Sequence, residues 1–105
     1  MAPKRKSETD ELAVAENRDK VERPPLYKVL LHNDNYTTME FVVYVLVTVF
    51  RKSEGEAFKI MLAVHEQGIG VAGVYPFEIA ETKAQKVIEM ARANEYPLMC
   101  SVQEE

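Results

Sequence analysis

His32-Asn33-Asp34-Asn35-Tyr36-Thr37-Thr38-Met39-Glu40-Phe41 joins a short apolar run, Tyr27 to Leu31, to a long one, Phe41 to Phe50. Asn33, Asp34 and Asn35 are turn formers that tolerate unusual backbone angles. Thr37 and Glu40 have the S/T-x-x-E spacing of a capping box, in which each side chain satisfies a free backbone N–H at a helix start. Tyr36 and Phe41 then fall just before the cap and at the fourth helical residue, the positions of a hydrophobic staple. The plain reading is a strand-to-helix turn. A cap needs only one or two of these polar groups, so the loop is also expected to present amide and carboxyl oxygens beside an apolar helix.

On the N-terminal side, Tyr27, Val29 and Leu31 alternate with Lys28, Leu30 and His32, as in a half-buried strand. On the C-terminal side the reading is divided. Val42, Val43, Val45, Val47 and Val49 are β-formers. The capping residues, the length and the pairs Val42/Leu46 and Leu46/Phe50 favour a buried helix, which is the reading adopted. Ser53-Glu54-Gly55-Glu56 repeats the capping-box spacing and opens a second helix, with Ala57, Ile60, Met61 and Val64 on its apolar stripe. Gly68 is placed to end it. Val71 to Tyr75 reads as a short strand. Pro76 suits a helix start, and Ala80, Ala84, Val87 and Ala91 mark a third helix ending near Asn94. Leu98, Cys100 and Val102 alternate with polar or flexible neighbours as a last strand. The order β-α-α-β-α-β predicts an α+β domain over residues 26–105, a three-stranded antiparallel sheet packed with three helices. Residues 1–25 are charged, lack an apolar stripe and end in Pro24-Pro25, so they read as a disordered extension.

Charge narrows the function classes. The first 25 residues hold six Lys/Arg and six Asp/Glu, so the net charge of −4 lies in the domain. A net acidic domain is a poor nucleic-acid binder and suits cationic partners better. No run approaches a membrane span, and no apolar signal core opens the chain, which points to a cytoplasmic protein. One cysteine and two histidines argue against a structural zinc site.

Individual residues admit two readings each. His65, at the end of the second helix, is either a favourable charge for the helix dipole or a neutral imidazole offering a lone pair. Cys100 reads as a buried inert thiol rather than a nucleophile. His32 and Asp34 together would suit acid–base work, yet no nucleophile motif or phosphate loop accompanies them. Gly70 and Gly73 near a short strand mark a close backbone approach. Met39, in the first helical turn beside the polar loop, is either core filler or the flexible rim of a pocket.

Asn33 to Val42 resembles the motif of the ClpS family, adaptors that hand N-degron substrates to the Clp protease. The resemblance continues in Met61-Leu62-Ala63-Val64-His65, Gly68 to Val74, Ala80-Glu81-Thr82-Lys83 and Tyr96-Pro97-Leu98, and covers about residues 26–102. It implies a pocket for the first side chain of a peptide, walled by Thr37, Thr38, Met39, Val42, Met61, Val64 and Leu98. It implies capture of the peptide's α-amino group by Asn33, Asp34, Asn35 and His65. It further implies docking on the N-terminal domain of a Clp-type AAA+ ATPase through Glu78, Glu81 and Lys83, with a handover role for the extension. No enzyme activity, cofactor, metal, nucleic acid or membrane is implied, and the expected state is a monomer. Two positions depart from the family pattern. Asn35 stands where many members have Asp, a neutral acceptor for a charged one; Thr38 stands where many have Pro, which is expected to loosen the helix start. A ribosome-associated module and a small acid–base enzyme are the alternative classes.

Overall fold

The structure, a computed structural model, describes residues 23–105. The expected disorder of residues 1–25 therefore falls almost wholly outside the described residues. Three strands, β1 (Leu26–His32), β2 (Ile69–Pro76) and β3 (Met99–Glu104), form an antiparallel sheet in the order β2-β1-β3. Helices α1 (Met39–Thr48) and α2 (Glu54–Gln67) lie between β1 and β2, and α3 (Phe77–Ala93) lies between β2 and β3. The element order and the fold class match the expectation. β1 is the central strand, pairing Leu31 with Gly70 on one side and Cys100 on the other. An irregularity in the β1–β2 register sits between Val29 and Leu30.

The core explains why the valine-rich run is helical. Phe41, Val42, Val45 and Leu46 are all buried and recur at helical spacing. Each such burial is worth about 1.5–3 kcal/mol. The β-branched penalty in a helix is at most about 0.7 kcal/mol per residue, so packing decides. The same cluster takes in Val29, Leu31 and Cys100 from the sheet and Ala57, Met61 and Val64 from α2. α3 contributes Ala80, Ala84, Val87 and Ala91, mostly small residues.

The helix ends carry local chemistry that the sequence partly foretells. The Ser53 hydroxyl accepts the Glu56 N–H at 3.2 Å and caps α2. Gly68 ends that helix with φ 89°, a left-handed angle that glycine adopts without steric cost. At Gly70 a Cβ would come within 2.6 Å of a Val64 methyl, so β2 approaches α2 only because this residue is glycine.

The start of α1 differs from expectation. The cap is Thr38, whose hydroxyl accepts the Phe41 N–H at 3.1 Å. The Thr37 hydroxyl is already committed, donating to Asp34 at 2.7 Å. With the cap one residue later, Glu40 no longer holds the capping-box position. The staple is also absent: Tyr36 is 75% exposed, while Phe41 packs on Tyr96 with ring centroids 4.8 Å apart. Thr38 thus fastens the helix start that its departure from the family pattern was expected to loosen.

Candidate functional site

The loop between β1 and α1 is held by its own aspartate. One Asp34 oxygen accepts the N–H groups of Tyr36 at 2.8 Å and Thr37 at 2.7 Å, and the other accepts the Thr37 hydroxyl. Partial burial pushes the Asp34 pKa up. The bonds from the Thr37 N–H, the Thr37 hydroxyl and the Tyr36 N–H together outweigh it and hold the carboxyl below the usual carboxylate range. A second tie comes from the backbone. The Asn33 N–H donates to the Gly68 carbonyl at 3.0 Å, which fixes the start of the loop against the end of α2. His65 occupies the last turn of that helix.

These ties gather two kinds of surface around a cavity of about 250 Å³. Its polar side carries Asn33, Asp34, Asn35 and His65. Its apolar side carries Met39 and Val42 from α1 and Met61 and Val64 from α2, with Thr37 between. Asn33, Asn35 and His65 are exposed, and among the described residues no protein hydrogen bond occupies their side chains. Asp34 spends its oxygens on the loop, so it shapes the site and lends it negative charge, while the free acceptors are the two amides and the imidazole. The volume lies just below the roughly 300–1,000 Å³ of sites for drug-sized ligands. It suits one side chain.

Residues 22–101 match the family model described as ATP-dependent Clp protease adaptor protein ClpS. An ATP-dependent Clp protease adapter protein ClpS from Myxococcus xanthus is 53% identical over 105 residues, covering 100% of this chain and 98% of its own. One from Nitratidesulfovibrio vulgaris is 60% identical over 86 residues, covering 82% of this chain and 83% of its own. The chain belongs to the ClpS family. Among solved structures, Agrobacterium tumefaciens ClpS2 bound to L-phenylalaninamide superposes with a TM-score of 0.77 at 43% identity, covering 79% of this chain and 100% of that one.

Thr38 and Leu98, which ClpS resemblance assigns to the pocket, do not line this cavity. Thr38 caps α1, and its hydroxyl lies 3.5 Å from that of Tyr96. Leu98 is buried and lines a separate cavity with Ile88, Arg92 and Tyr96, between α3 and β3. Glu78 and Glu81 are exposed on the first turns of α3, but Lys83 is not a solvated charge. Its ammonium donates to the Val49 carbonyl at 2.8 Å and lies 5.3 Å from the Tyr75 ring centre and 5.9 Å from that of Phe50. It satisfies a free carbonyl at the end of α1 and complements the dipole there.

The acid–base alternative is not assembled. His32 Nε2 pairs with the Ser101 hydroxyl at 2.7 Å across β1 and β3, while Asp34 is engaged within the loop. Cys100 is buried, and burial pushes its thiol up to about 12, far from a reactive thiolate. No helix among the described residues is long and apolar enough to cross a membrane.

Two contacts escaped sequence reasoning, although both residues lie in segments that resemble the family. The Gly68 carbonyl, which anchors Asn33, is a backbone group at a position whose own chemistry reads as a helix stop. Tyr96 packs on Phe41 from the far end of the chain. Neither leaves a local signal.

Proposed function

We propose that the chain is a non-enzymatic adaptor that binds the N-terminal residue of substrate proteins and delivers them to a Clp-type AAA+ ATPase. The observation that carries this reading is the free polar set Asn33, Asn35 and His65 beside an apolar cavity for one side chain. A protein N-terminus offers both complements at once. Its α-amino group has a pKa of about 7.7–8.0 and is largely cationic at neutral pH. The Asn carbonyl oxygens and a neutral His65 lone pair accept its N–H groups, and the Asp34 carboxylate favours the positive charge. The first side chain then enters between Met39, Val42, Met61 and Val64. Leu, Phe, Tyr and Trp fit this geometry, since their bulk lies beyond Cβ; Val and Ile branch at Cβ and press on a rim that Met39 lines. Membership of the ClpS family and the binding of L-phenylalaninamide by a relative support the same reading.

Magnitudes place the affinity. Burying the side chain gives about 1.5–3 kcal/mol, and each hydrogen bond to the charged amine about 1.5–3 kcal/mol. Association costs at least about 4 kcal/mol. Even at the upper end of these ranges, with three hydrogen bonds, binding does not exceed roughly micromolar affinity, about −8 kcal/mol. Tethering of substrate and protease through the adaptor raises the effective affinity. Docking on the N-terminal domain of the ATPase uses Glu78, Glu81 and Lys83 on α3, and the extension of residues 1–25 takes part in handover.

Capture on beads tests the reading. Immobilised Leu- or Phe-starting peptides are expected to retain the protein; Met- or Val-starting peptides are not. Equal retention on all four would remove the N-terminal residue as the recognised feature.

A further inference from the structure

A second groove opens directly beyond the cavity. It has a volume of about 400 Å³ and is lined by Met39, Glu40, Val43, Phe58 and Met61. Met39 and Met61 line both spaces, so the two adjoin across a pair of flexible thioethers. The groove exposes apolar surface that the fold does not need: Phe58 is 52% exposed and Met39 45%.

Helical geometry sets the spacing. On α2 the groove takes Phe58, three residues before the shared Met61, whereas the cavity takes Val64, three residues after it. Along α2 the groove is thus offset from the cavity by about one helical turn, roughly 5 Å. In an extended peptide alternate side chains share a face, and residues i and i+2 are about 6.6–6.8 Å apart. A chain whose first side chain fills the cavity, and which runs along the helix pair, turns its second side chain away and its third onto the groove.

We infer that this groove is a subsite for the third residue of the substrate, selecting apolar or aromatic side chains there and disfavouring acidic ones. The inference rests on the reading that the cavity takes the first side chain. The charge preference follows from Glu40, the one charged residue in the lining.

The test is a fluorescence titration with free-amine peptides Leu-Ser-Xaa-Ser-Ser-Lys, where Xaa is Phe, Ser or Asp, and with the shifted peptide Leu-Phe-Ser-Ser-Ser-Lys. Phe at the third position is expected to tighten binding about 5- to 10-fold over Ser, with Asp weaker than Ser. The shifted peptide should bind like the all-serine one. In Phe58→Ser the Phe/Ser ratio at the third position should fall towards one, with a melting curve confirming that the variant is folded. Equal affinities for the three peptides, a gain that survives Phe58→Ser, or a gain at the second position would overturn the subsite. Acetylated versions of the same peptides separate the two levels of the argument. If acetylation has no effect, the amine-binding reading fails; if the free amine is required and the third position is silent, only the subsite fails.

Discussion

The two ends of α1 solve the same problem in opposite ways. At its C-terminal end the polar group that α3 brings up is committed: the Lys83 ammonium holds the Val49 carbonyl and sits over two rings. At its N-terminal end Thr38 and Asp34 complete the cap and the loop between them, leaving the side chains of Asn33, Asn35 and His65 without protein partners among the described residues. The first end is closed and structural. The second is a rigid frame carrying free acceptors, which is what a preorganised binding site requires, because the loop is ordered before the ligand arrives. A charged residue near a surface is therefore not evidence of a site until its partners are known.

Removing Asp34 attacks the frame without touching the free acceptors. Asp34→Ala leaves the Tyr36 and Thr37 donors without their acceptor, so peptide affinity should fall at least about 10-fold and stability by about 1–3 kcal/mol. Titration and thermal melting would show both. Wild-type affinity in this variant would mean that the loop holds its shape unaided. The same carboxylate has a pH signature. Its folded pKa lies below the ordinary 3.8, so its contribution is present at neutral pH and is lost as pH falls from there through the lower folded value.

Lys83→Met tests the closed end, with a smaller effect. It keeps the apolar stem and removes the charge, so the Val49 carbonyl loses its donor and the two rings lose their cation. Destabilisation of about 1–2 kcal/mol is expected, a fall in melting temperature of about 4–8 °C for each kcal/mol in a domain of this size. Peptide affinity should stay within about twofold, since α1 remains capped at the other end. An unchanged melting temperature would mean that the Val49 and ring contacts contribute nothing to stability.

The contrast also marks what could be read from the chain. The six elements and their order were legible because caps, glycine stops and apolar periodicity are local signals. The helical state of α1 was legible against its valines, since Val42, Leu46 and Phe50 recur at helical spacing. The exact cap was not. Asp34 and the α1 backbone compete for the two threonines, and the outcome depends on where the loop is anchored, through Asn33 and Gly68. The Lys83 tie to α1 left no signal in the sequence, because its acceptor lies 34 residues away on another helix. Nine of the residues that resemblance assigned to the site line one cavity, whereas Thr38 and Leu98 do not. Resemblance transfers positions; it does not show which of them face the same space.

The clamp is tested most directly by calorimetric titration of one Leu-starting peptide, free or acetylated at its α-amine, into the native chain and into His65→Ala. For the free peptide, His65→Ala should cost about 1–3 kcal/mol, roughly 5- to 150-fold in Kd. Acetylation should cost the native chain at least as much, and the acetylated peptide should not distinguish the two proteins. If the native chain bound free and acetylated peptides equally well, the free acceptors at the head of α1 would not be an amine clamp.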